Sequence, residues 1–241
     1  MFEDSKLLIP GLLLLLVLTP SLACAANTYR LSGGGMYTTL KLTDLNNAIE
    51  NYNDSIEQFE QEGANVSKMD KINQAFGFFV GTRMDVGGGL ALGGTVDTFT
   101  AGTGTDIDYE DQYGEIDVDL DIDLSISGLA GTVSANINDY IGVSGGGGYY
   151  LGTINMSSSI TATGDYSQYS EDNMSESADV SGTGFKAGGH INYPFSRQVR
   201  LYSAVHYRIL DLEVHDDNSL TNGSLLNANG VEVRFGISFG V

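Results

Sequence analysis

The strongest structural signal in the chain is Val231-Glu232-Val233-Arg234-Phe235-Gly236-Ile237-Ser238-Phe239-Gly240-Val241. Every apolar side chain in it stands at an odd position, and every polar residue or glycine stands at an even one. This period of two indicates a β-strand with one apolar face. The apolar face is large and aromatic, whereas the other face carries Glu, Arg, Ser and Gly. Such a strand suits a wall between lipid and a polar interior, as in a transmembrane β-barrel.

The N-terminus predicts export from the cytoplasm. Residues 7–18 form an apolar run of about the length of a signal-peptide core, and Ala23-Cys24-Ala25 matches a cleavage site. We therefore expect a signal peptide at residues 1–25 and a barrel domain at residues 26–241. The apolar run is shorter than the roughly 20 residues that a transmembrane helix needs. A second interpretation retains Cys24, the only cysteine, as the acylated residue of a lipoprotein.

The composition is strongly acidic, with 31 acidic against 11 basic side chains and a formal net charge of −20. Nucleic acid and anionic lipid headgroups are therefore poor direct partners. The 32 glycines accompany only 3 prolines and no tryptophan. Without a collagen repeat, this glycine content indicates strands whose backbones pack closely. We predict no cofactor and no nucleic-acid partner.

The alternation recurs in seven earlier segments, so eight strands are predicted in all. The earlier segments are 29–40, 76–84, 90–97, 129–137, 141–153, 184–193 and 199–209. Short links at 85–88, 138–140 and 194–198 alternate with long polar links at 41–74, 101–113, 162–178 and 215–228. In an antiparallel meander, alternate links lie at the same end. The short turns are therefore predicted at one end of the barrel and the long loops at the other.

With its leader, loop asymmetry and terminal strand, the chain resembles the small eight-stranded outer-membrane barrels of the OmpA and OmpX type. The resemblance covers about residues 28–241 as architecture. It implies an all-β, eight-stranded antiparallel up-and-down transmembrane β-barrel in the cell outer membrane. Its partners would be outer-membrane lipid and the barrel-insertion machinery, which recognises the C-terminal strand. The alternative is a soluble β-sandwich or lipocalin-like barrel, but the glycine-rich polar faces of the strands are unusual for a surface in water.

The charged residues of the predicted strands sort onto the polar face. We predict a polar cluster in the barrel interior that comprises Arg30, Arg83, Asp97, Lys186, His190, Arg200, His206, Arg208, Glu232 and Arg234. A charge at mid-membrane on the lipid face would cost about 2–4 kcal/mol, which favours this register. The surplus of bases predicts a cationic interior. It either rigidifies a narrow barrel as a polar plug or conducts solutes with a preference for anions.

The first long loop breaks the strand pattern. Apolar residues recur there at spacings of three and four, at Leu45, Ile49, Tyr52, Ile56 and Phe59. This spacing predicts one amphipathic helix in the first extracellular loop, over residues 43–62, with Thr43 or Asp44 as its N-cap. Its apolar face has three possible partners: the barrel mouth, which it would cover as a lid, the lipid interface, or another protein.

Residues 115–124 alternate acidic and aliphatic side chains. The apolar positions are even here but odd from Leu129 onward, which predicts a β-bulge near Gly128 and a matching slip after Thr153. An acidic hairpin extension over about residues 112–162 would then project from the membrane. Carboxylates two residues apart on a strand could collect Ca²⁺ or Mg²⁺, but no calcium-binding loop accompanies them. We favour a solvated acidic face and predict no metal site.

Catalysis has weak support in the sequence. His215 is the only histidine near a loop, and Ser219 or Ser224 could pair with it. We predict that the chain is not an enzyme and that it has a structural or cell-surface interaction role, with an unidentified ligand or protein partner. The alternative is a narrow anion-preferring channel gated by the helix of residues 43–62.

Overall fold

The computed structural model describes residues 29–61, 63–169, 173–215 and 225–240. It contains eight long strands: β1 (Tyr29–Thr39), β2 (Gln74–Gly87), β3 (Leu90–Asp111), β4 (Gly114–Asn136), β5 (Ile141–Ala162), β6 (Met174–Pro194), β7 (Val199–His215) and β8 (Gly230–Gly240). Helix α1 spans Thr43–Gln61, a 3₁₀ helix spans Gly164–Tyr169, and two short strands span Asn65–Val66 and Leu225–Asn227. Within these ranges no helix is long and apolar enough to cross a bilayer. The predicted signal peptide and Cys24 lie outside the described residues.

The eight long strands close into a ring. Each strand pairs antiparallel with the next one in the chain, and β8 pairs with both β7 and β1. The closing register places Leu31 opposite Phe239 and Phe239 opposite Val199. A ring of this kind has no unpaired sheet edge. The predicted eight-stranded antiparallel up-and-down barrel is confirmed.

Short turns join the strands at one end of the barrel, which we call the turn end. They lie at residues 88–89, 137–140 and 195–198. In the first of them Gly87, Gly88 and Gly89 have φ values of 96°, 63° and 79°, a left-handed conformation that favours glycine. The β2–β3 register shifts beside this turn, between Asp85 and Gly87.

At the opposite end, the predicted long loop at residues 101–113 is wrong. β3 continues to Asp111 and β4 starts at Gly114, so only a tight turn separates them. The loop prediction failed because small and polar residues replace the aliphatic ones beyond Phe99. The link predicted at 162–178 is also shorter, since β6 begins at Met174. The last link contains the short strand Leu225–Asn227, which pairs with β7.

A band of large apolar side chains covers the outside of the barrel next to the turn end. Its members are each at least 42% exposed and include Leu31, Phe76, Phe78, Leu92, Leu129, Val133, Phe185, Ile191, Leu201, Val205, Phe235 and Phe239. Aromatic residues lie at both margins. Tyr140 and Tyr193 stack at the turn end, 6.2 Å apart, and Tyr37 contacts Phe76 at 5.3 Å near the other margin. An apolar band with aromatic margins is typical of a barrel surface in lipid.

The predicted β-bulge near Gly128 and the slip after Thr153 are both wrong. The β3–β4 pairing runs from Leu90 opposite Ala135 to Asp111 opposite Gly114 without a shift of register. The β4–β5 pairing is equally continuous. Even-numbered residues of β4 therefore face the interior along the whole strand.

The apparent phase change has another cause. The two faces of the sheet exchange polarity along its length. Within the apolar band the exterior is apolar, as at Leu129. Beyond it the exterior is acidic, and Leu124 and Ile126 fill the interior at 1% and 0% exposure. Gly128 is directly paired with Tyr150, and a Cβ at residue 128 would overlap the tyrosine ring. The glycine thus makes room for a buried ring and does not mark a bulge.

Strands β3 to β6 are much longer than a membrane crossing requires. β4 has 23 residues, whereas β1 and β8 have 11 each. A transmembrane strand needs about 9–11 residues. At about 3.3 Å per residue, 22 residues extend to roughly 70 Å. About half of each long strand lies beyond the apolar band, and we call this part the extension.

The exchange of faces predicts different surroundings for two leucines of β4. In a Cys24→Ser background, we expect a bimane label at Leu129→Cys to be quenched by brominated lipid, because this position faces outward in the apolar band. A label at Leu124→Cys should not be quenched, since it points into the packed interior. Equal quenching at both positions would contradict a single register along β4 and would support the predicted bulge, because a bulge would turn both side chains toward lipid.

Candidate functional site

The interior of the barrel contains three layers, which differ in charge and packing. A polar space lies next to the turn end, a set of buried charges lies in the middle, and an apolar cluster fills the far end beneath α1. All ten predicted interior residues project into the first two layers.

The middle layer, here called the charge layer, consists of six side chains at most 5% exposed: Asp97, Lys186, His206, Arg208, Glu232 and Arg234. The Asp97 carboxylate accepts from Lys186 Nζ at 2.7 Å and contacts Arg234 Nη2 at 2.7 Å. Arg234 Nε also donates to Glu232 Oε1 at 2.6 Å, and Arg208 Nη1 donates to Glu232 Oε2 at 3.4 Å. Two carboxylates on different strands therefore hold three cations across the interior.

Polar and aromatic neighbours complete the charge layer. Arg208 Nη2 donates to Thr38 Oγ1 at 3.1 Å, and its guanidinium lies 4.3 Å from the ring centre of Phe99. The guanidinium of Arg234 lies 4.9 Å from the ring centre of Phe79. Aromatic faces attract cations that have left water, so these rings offset part of the desolvation.

The far layer is the apolar plug, which has the packing of an ordinary protein core. It includes Met36, Leu40, Leu42, Ile49, Met69, Ile72, Leu124, Ile126, Leu210, Leu212 and Leu226, all at most 5% exposed. These side chains come from both walls of the barrel, from α1 and from the segment after it. Together with the charge layer they fill the cross-section above the middle of the barrel.

Helix α1 caps the plug with part of its predicted apolar face. Ile49 and Ile56 are buried, and Leu45 and Tyr52 are partly buried against the plug. Phe59, the fifth predicted residue, is 51% exposed. The helix therefore packs through its first four turns, and its C-terminal end leaves an aromatic side chain in solvent.

Two asparagines that the sequence analysis missed hold the chain after α1 against the helix. Asn46 accepts from the backbone N–H of Ile72 at 2.8 Å and donates to its carbonyl at 3.1 Å. Asn53 makes the same pair of hydrogen bonds to Met69, at 3.0 and 2.9 Å. Asn46 and Asn53 are seven residues apart and share a face with Ile49 and Ile56, which is the signal that could have revealed them.

The layer next to the turn end, here called the vestibule, is a space of about 320 Å³. Arg30, Arg83, Asp85 and Arg200 line it. Arg83 Nε lies 3.3 Å from Asp85, Nη2 donates to Asn136 at 2.7 Å, and Nη1 lies 3.0 Å from His190 Nε2. Because a guanidinium can only donate, His190 accepts this bond and is neutral. Asp85 is absent from the predicted polar cluster because it falls in the predicted short link at 85–88.

The outer face of the extension is an acidic ladder formed by β3 and β4. Direct cross-strand partners are like charges: Asp106 with Asp119, Asp108 with Asp117, and Glu110 with Glu115. A hydrogen bond with Asp119 raises the pKa of Asp106 above its ordinary value. Burial, followed by repulsion from Asp119 and Asp108, raises the pKa of Asp117. Opposed like charges destabilise a strand pair, so protonation relieves strain here.

The candidates for metal binding and for catalysis, which are the acidic ladder and His215, lie on the outer surface. Among the described residues, no group of three or more His, Cys, Asp or Glu side chains is arranged to hold a metal ion. Ser219 and Ser224, the suggested partners of His215, lie outside the described residues. His215 Nε2 lies 2.8 Å from Ser181 Oγ on the outer surface. In the described part of the chain, no carboxylate forms an ion pair with His215.

No family model matches the chain, and no curated protein matches it. Solved structures with a similar overall fold include Ail, the attachment invasion locus protein of Yersinia pestis, in complex with the heparin analogue sucrose octasulfate. That alignment has 15% identity and a TM-score of 0.43, and covers 90% of this chain and 100% of Ail. The outer membrane protein OprG from Pseudomonas aeruginosa aligns with 11% identity and a TM-score of 0.43, over 90% of this chain and 96% of OprG. The fold assigned above follows from the strand pairing of this chain itself.

The charge layer predicts a large loss of stability when one carboxylate is removed. Asp97→Asn should lower the free energy of unfolding by about 3–5 kcal/mol, because it leaves the buried Lys186 without its carboxylate partner and Arg234 with Glu232 alone. Glu57→Gln removes the partner of Lys68 in an exposed pair and should cost less than about 1 kcal/mol. Urea unfolding in lipid vesicles measures both. The paired change Asp97→Asn with Lys186→Met should recover part of the loss, and similar losses for Asp97→Asn and Glu57→Gln would contradict the burial of the layer.

The raised pKa values predict that acid tightens the tip of the extension. A carboxyl whose pKa is higher in the folded than in the unfolded protein binds a proton more readily in the folded protein. The contribution of Asp106 and Asp117 to the free energy of unfolding therefore rises as pH falls from 7 toward 3.8, the ordinary pKa of Asp. Amide exchange protection around residues 106–119, corrected for intrinsic rates, should increase over this range. Asp106→Asn with Asp117→Asn should flatten the dependence, whereas Glu57→Gln on α1 should not. A dependence unchanged in the double variant would contradict the assignment.

Proposed function

We propose that this chain is an integral outer-membrane β-barrel with a closed interior and a structural or cell-surface interaction role. The observation that carries the proposal is the filling of the barrel above its middle. The charge layer and the apolar plug occupy the cross-section one after the other, and the side chains of both are buried. An eight-stranded barrel is usually just wide enough for side chains to fill, so a sealed interior agrees with its size.

The apolar band supports a membrane location. Large aliphatic and aromatic side chains are exposed on the outside over about the length of strand that crosses a bilayer. With short turns on the periplasmic side, as in known barrels, α1 and the extension lie outside the cell. The lipid of the outer membrane is then the main partner of the band, and the insertion machinery would recognise β8.

The extension supplies the surface for interaction. Its sheet is continuous with the barrel wall, so the acidic ladder is held rigidly above the membrane. Carboxylates face outward on both β3 and β4, and aliphatic residues face inward. A partner of this face would be basic, because electrostatic complementarity guides association with such a surface.

The anion-preferring channel remains the second candidate, and the observation in its favour is the cationic interior. In the vestibule and the charge layer, the described residues provide six inward cations and three inward carboxylates, at Asp85, Asp97 and Glu232. Gating by α1 would require that the interior open when the helix leaves. The charge layer lies below the helix and contacts none of its residues through the ion pairs described, so it would still close the barrel.

We also propose that the Ser181–His215 contact is not catalytic, since the neighbouring backbone N–H groups are used in strand pairing.

Planar-bilayer recording separates the two candidates. Protein that inserts well, as shown by heat-modifiable migration on a detergent gel, should give no steady single-channel currents. A variant in which a short linker replaces residues 43–72 should also stay silent, because the charge layer remains. Discrete openings in the wild-type protein would favour the channel, and openings only in the variant would show that the helix is its gate. Recovery of the protein in water without detergent would contradict the membrane location.

A further inference from the structure

The vestibule lies at the turn end of the barrel, and the charge layer lies on its inner side. The charge layer and the apolar plug close its other side, as described above. Its space of about 320 Å³ is lined by residues of β1, β2, β4, β6 and β7 and of the turns at 88–89 and 137–140. A solute that enters it cannot pass through the barrel. The vestibule can therefore bind a solute but cannot conduct one.

Cations outnumber carboxylates in this cavity. Arg30, Arg83 and Arg200 line it, and Arg30 and Arg83 share the carboxylate of Asp85. Arg83 lies 3.3 Å from that carboxylate, whereas Arg30 lies 4.0 Å away. Asp139 stands at the rim and contacts Arg200 through its backbone carbonyl, at 3.4 Å. Over the described ranges, no carboxylate lies within the 4.0 Å ion-pair distance of Arg200.

The three arginines differ in how many donors they leave free. Arg83 is the most engaged of the three, since each of its guanidinium nitrogens has a partner, in Asp85, His190 and Asn136. Among the described residues, Arg30 and Arg200 each have one weak contact, so most of their donors stay without a partner there. Both are held partly away from bulk water, and the side chain of Arg30 is only 16% exposed. A guanidinium in such a place gains from an anionic partner.

The strand register brings the two free arginines to the same part of the wall. Arg30 on β1 pairs with Gly240, and Arg200 on β7 pairs with Ser238, so β8 with two small residues separates them. Neighbouring strands lie about 4.8 Å apart, which puts the two backbones roughly 10 Å from each other. Two long side chains from these positions can reach one ligand that carries more than one negative charge.

We propose that the vestibule binds a multiply charged phosphate, with Arg30 and Arg200 as its ligands and Arg83 as the residue that holds Asp85. Guanidinium groups match the oxygens of phosphate in pairs, which favours this class over halides. Phosphate can come from a free solute or from the headgroup of a phospholipid at the inner surface of the membrane. The arginine site follows from the geometry, whereas its closed inner side and its periplasmic location rest on the proposed function.

Calorimetric titration with sodium pyrophosphate, in an uncharged maltoside detergent at constant ionic strength, tests the site. Wild-type protein should bind saturably, whereas Arg200→Gln and Arg30→Gln should each bind about tenfold more weakly, because each loses charge-assisted hydrogen bonds. Lys71→Gln is the matched control, since Lys71 pairs with Glu50 on α1 at the other end of the barrel. Heat-modifiable migration checks that each variant is folded. Binding no stronger than that of chloride, or equal binding by folded Arg200→Gln, would overturn the proposal.

Nanodiscs distinguish the two sources of phosphate. If a lipid headgroup occupies the vestibule, phosphatidylglycerol nanodiscs should weaken pyrophosphate binding relative to maltoside, and Arg200→Gln should remove this competition. If the ligand is a free solute, the affinity should be the same in nanodiscs and in maltoside. Both results support the site. A loss of affinity in nanodiscs that Arg200→Gln leaves unchanged would indicate surface charge alone and would overturn it. Conductance plays no part in this measurement, so its outcome is independent of the test for a channel.

Discussion

Closure of the sheet is the constraint on which the rest of this structure depends. When eight strands form a ring, every strand has two partners, and each side chain must point either inward or outward. Because side chains alternate along a strand, the direction of one side chain determines the direction of all others on that strand. The single phase of β4, from the acidic ladder to the turn end, shows this over 23 residues. Charge, packing and membrane contact all follow from how residues divide between the two sides.

Much of the fold could be predicted from the sequence because the alternation survives wherever lipid lies outside. Strand number, pairing order and the position of the short turns all came from that pattern. The prediction failed beyond the apolar band, where it assumed that aliphatic side chains always face outward. Water replaces lipid there, so Leu124 and Ile126 turn out to be interior residues although the backbone stays in phase. The change of solvent was mistaken for a change of register.

The sequence could place the charged residues inside but could not pair them. Asp97 on β3 meets Lys186 on β6 and Arg234 on β8, which are 89 and 137 positions away in the chain. Contacts across a barrel depend on strand tilt and side-chain length, and neither follows from alternation. The same limit explains why Asn46 was missed, since its partner Ile72 lies in an irregular segment. Polar residues on an apolar helix face are a usable signal, but they do not identify their partner.

The charge layer lies where the interior changes from polar to apolar. Burying paired charges is costly, and apolar residues of similar volume would often be as stable. The position of these pairs indicates a role other than a net gain in stability. Below them the barrel has a polar interior within lipid, and above them it has an apolar interior within water. Asp97 and Glu232 join β3, β6, β7 and β8 at this level through Lys186, Arg208 and Arg234. These ion pairs fix opposite walls of the barrel to each other at a level where neither lipid outside nor an apolar core inside could hold the walls together alone. The extension can therefore continue from the membrane as an unbroken wall.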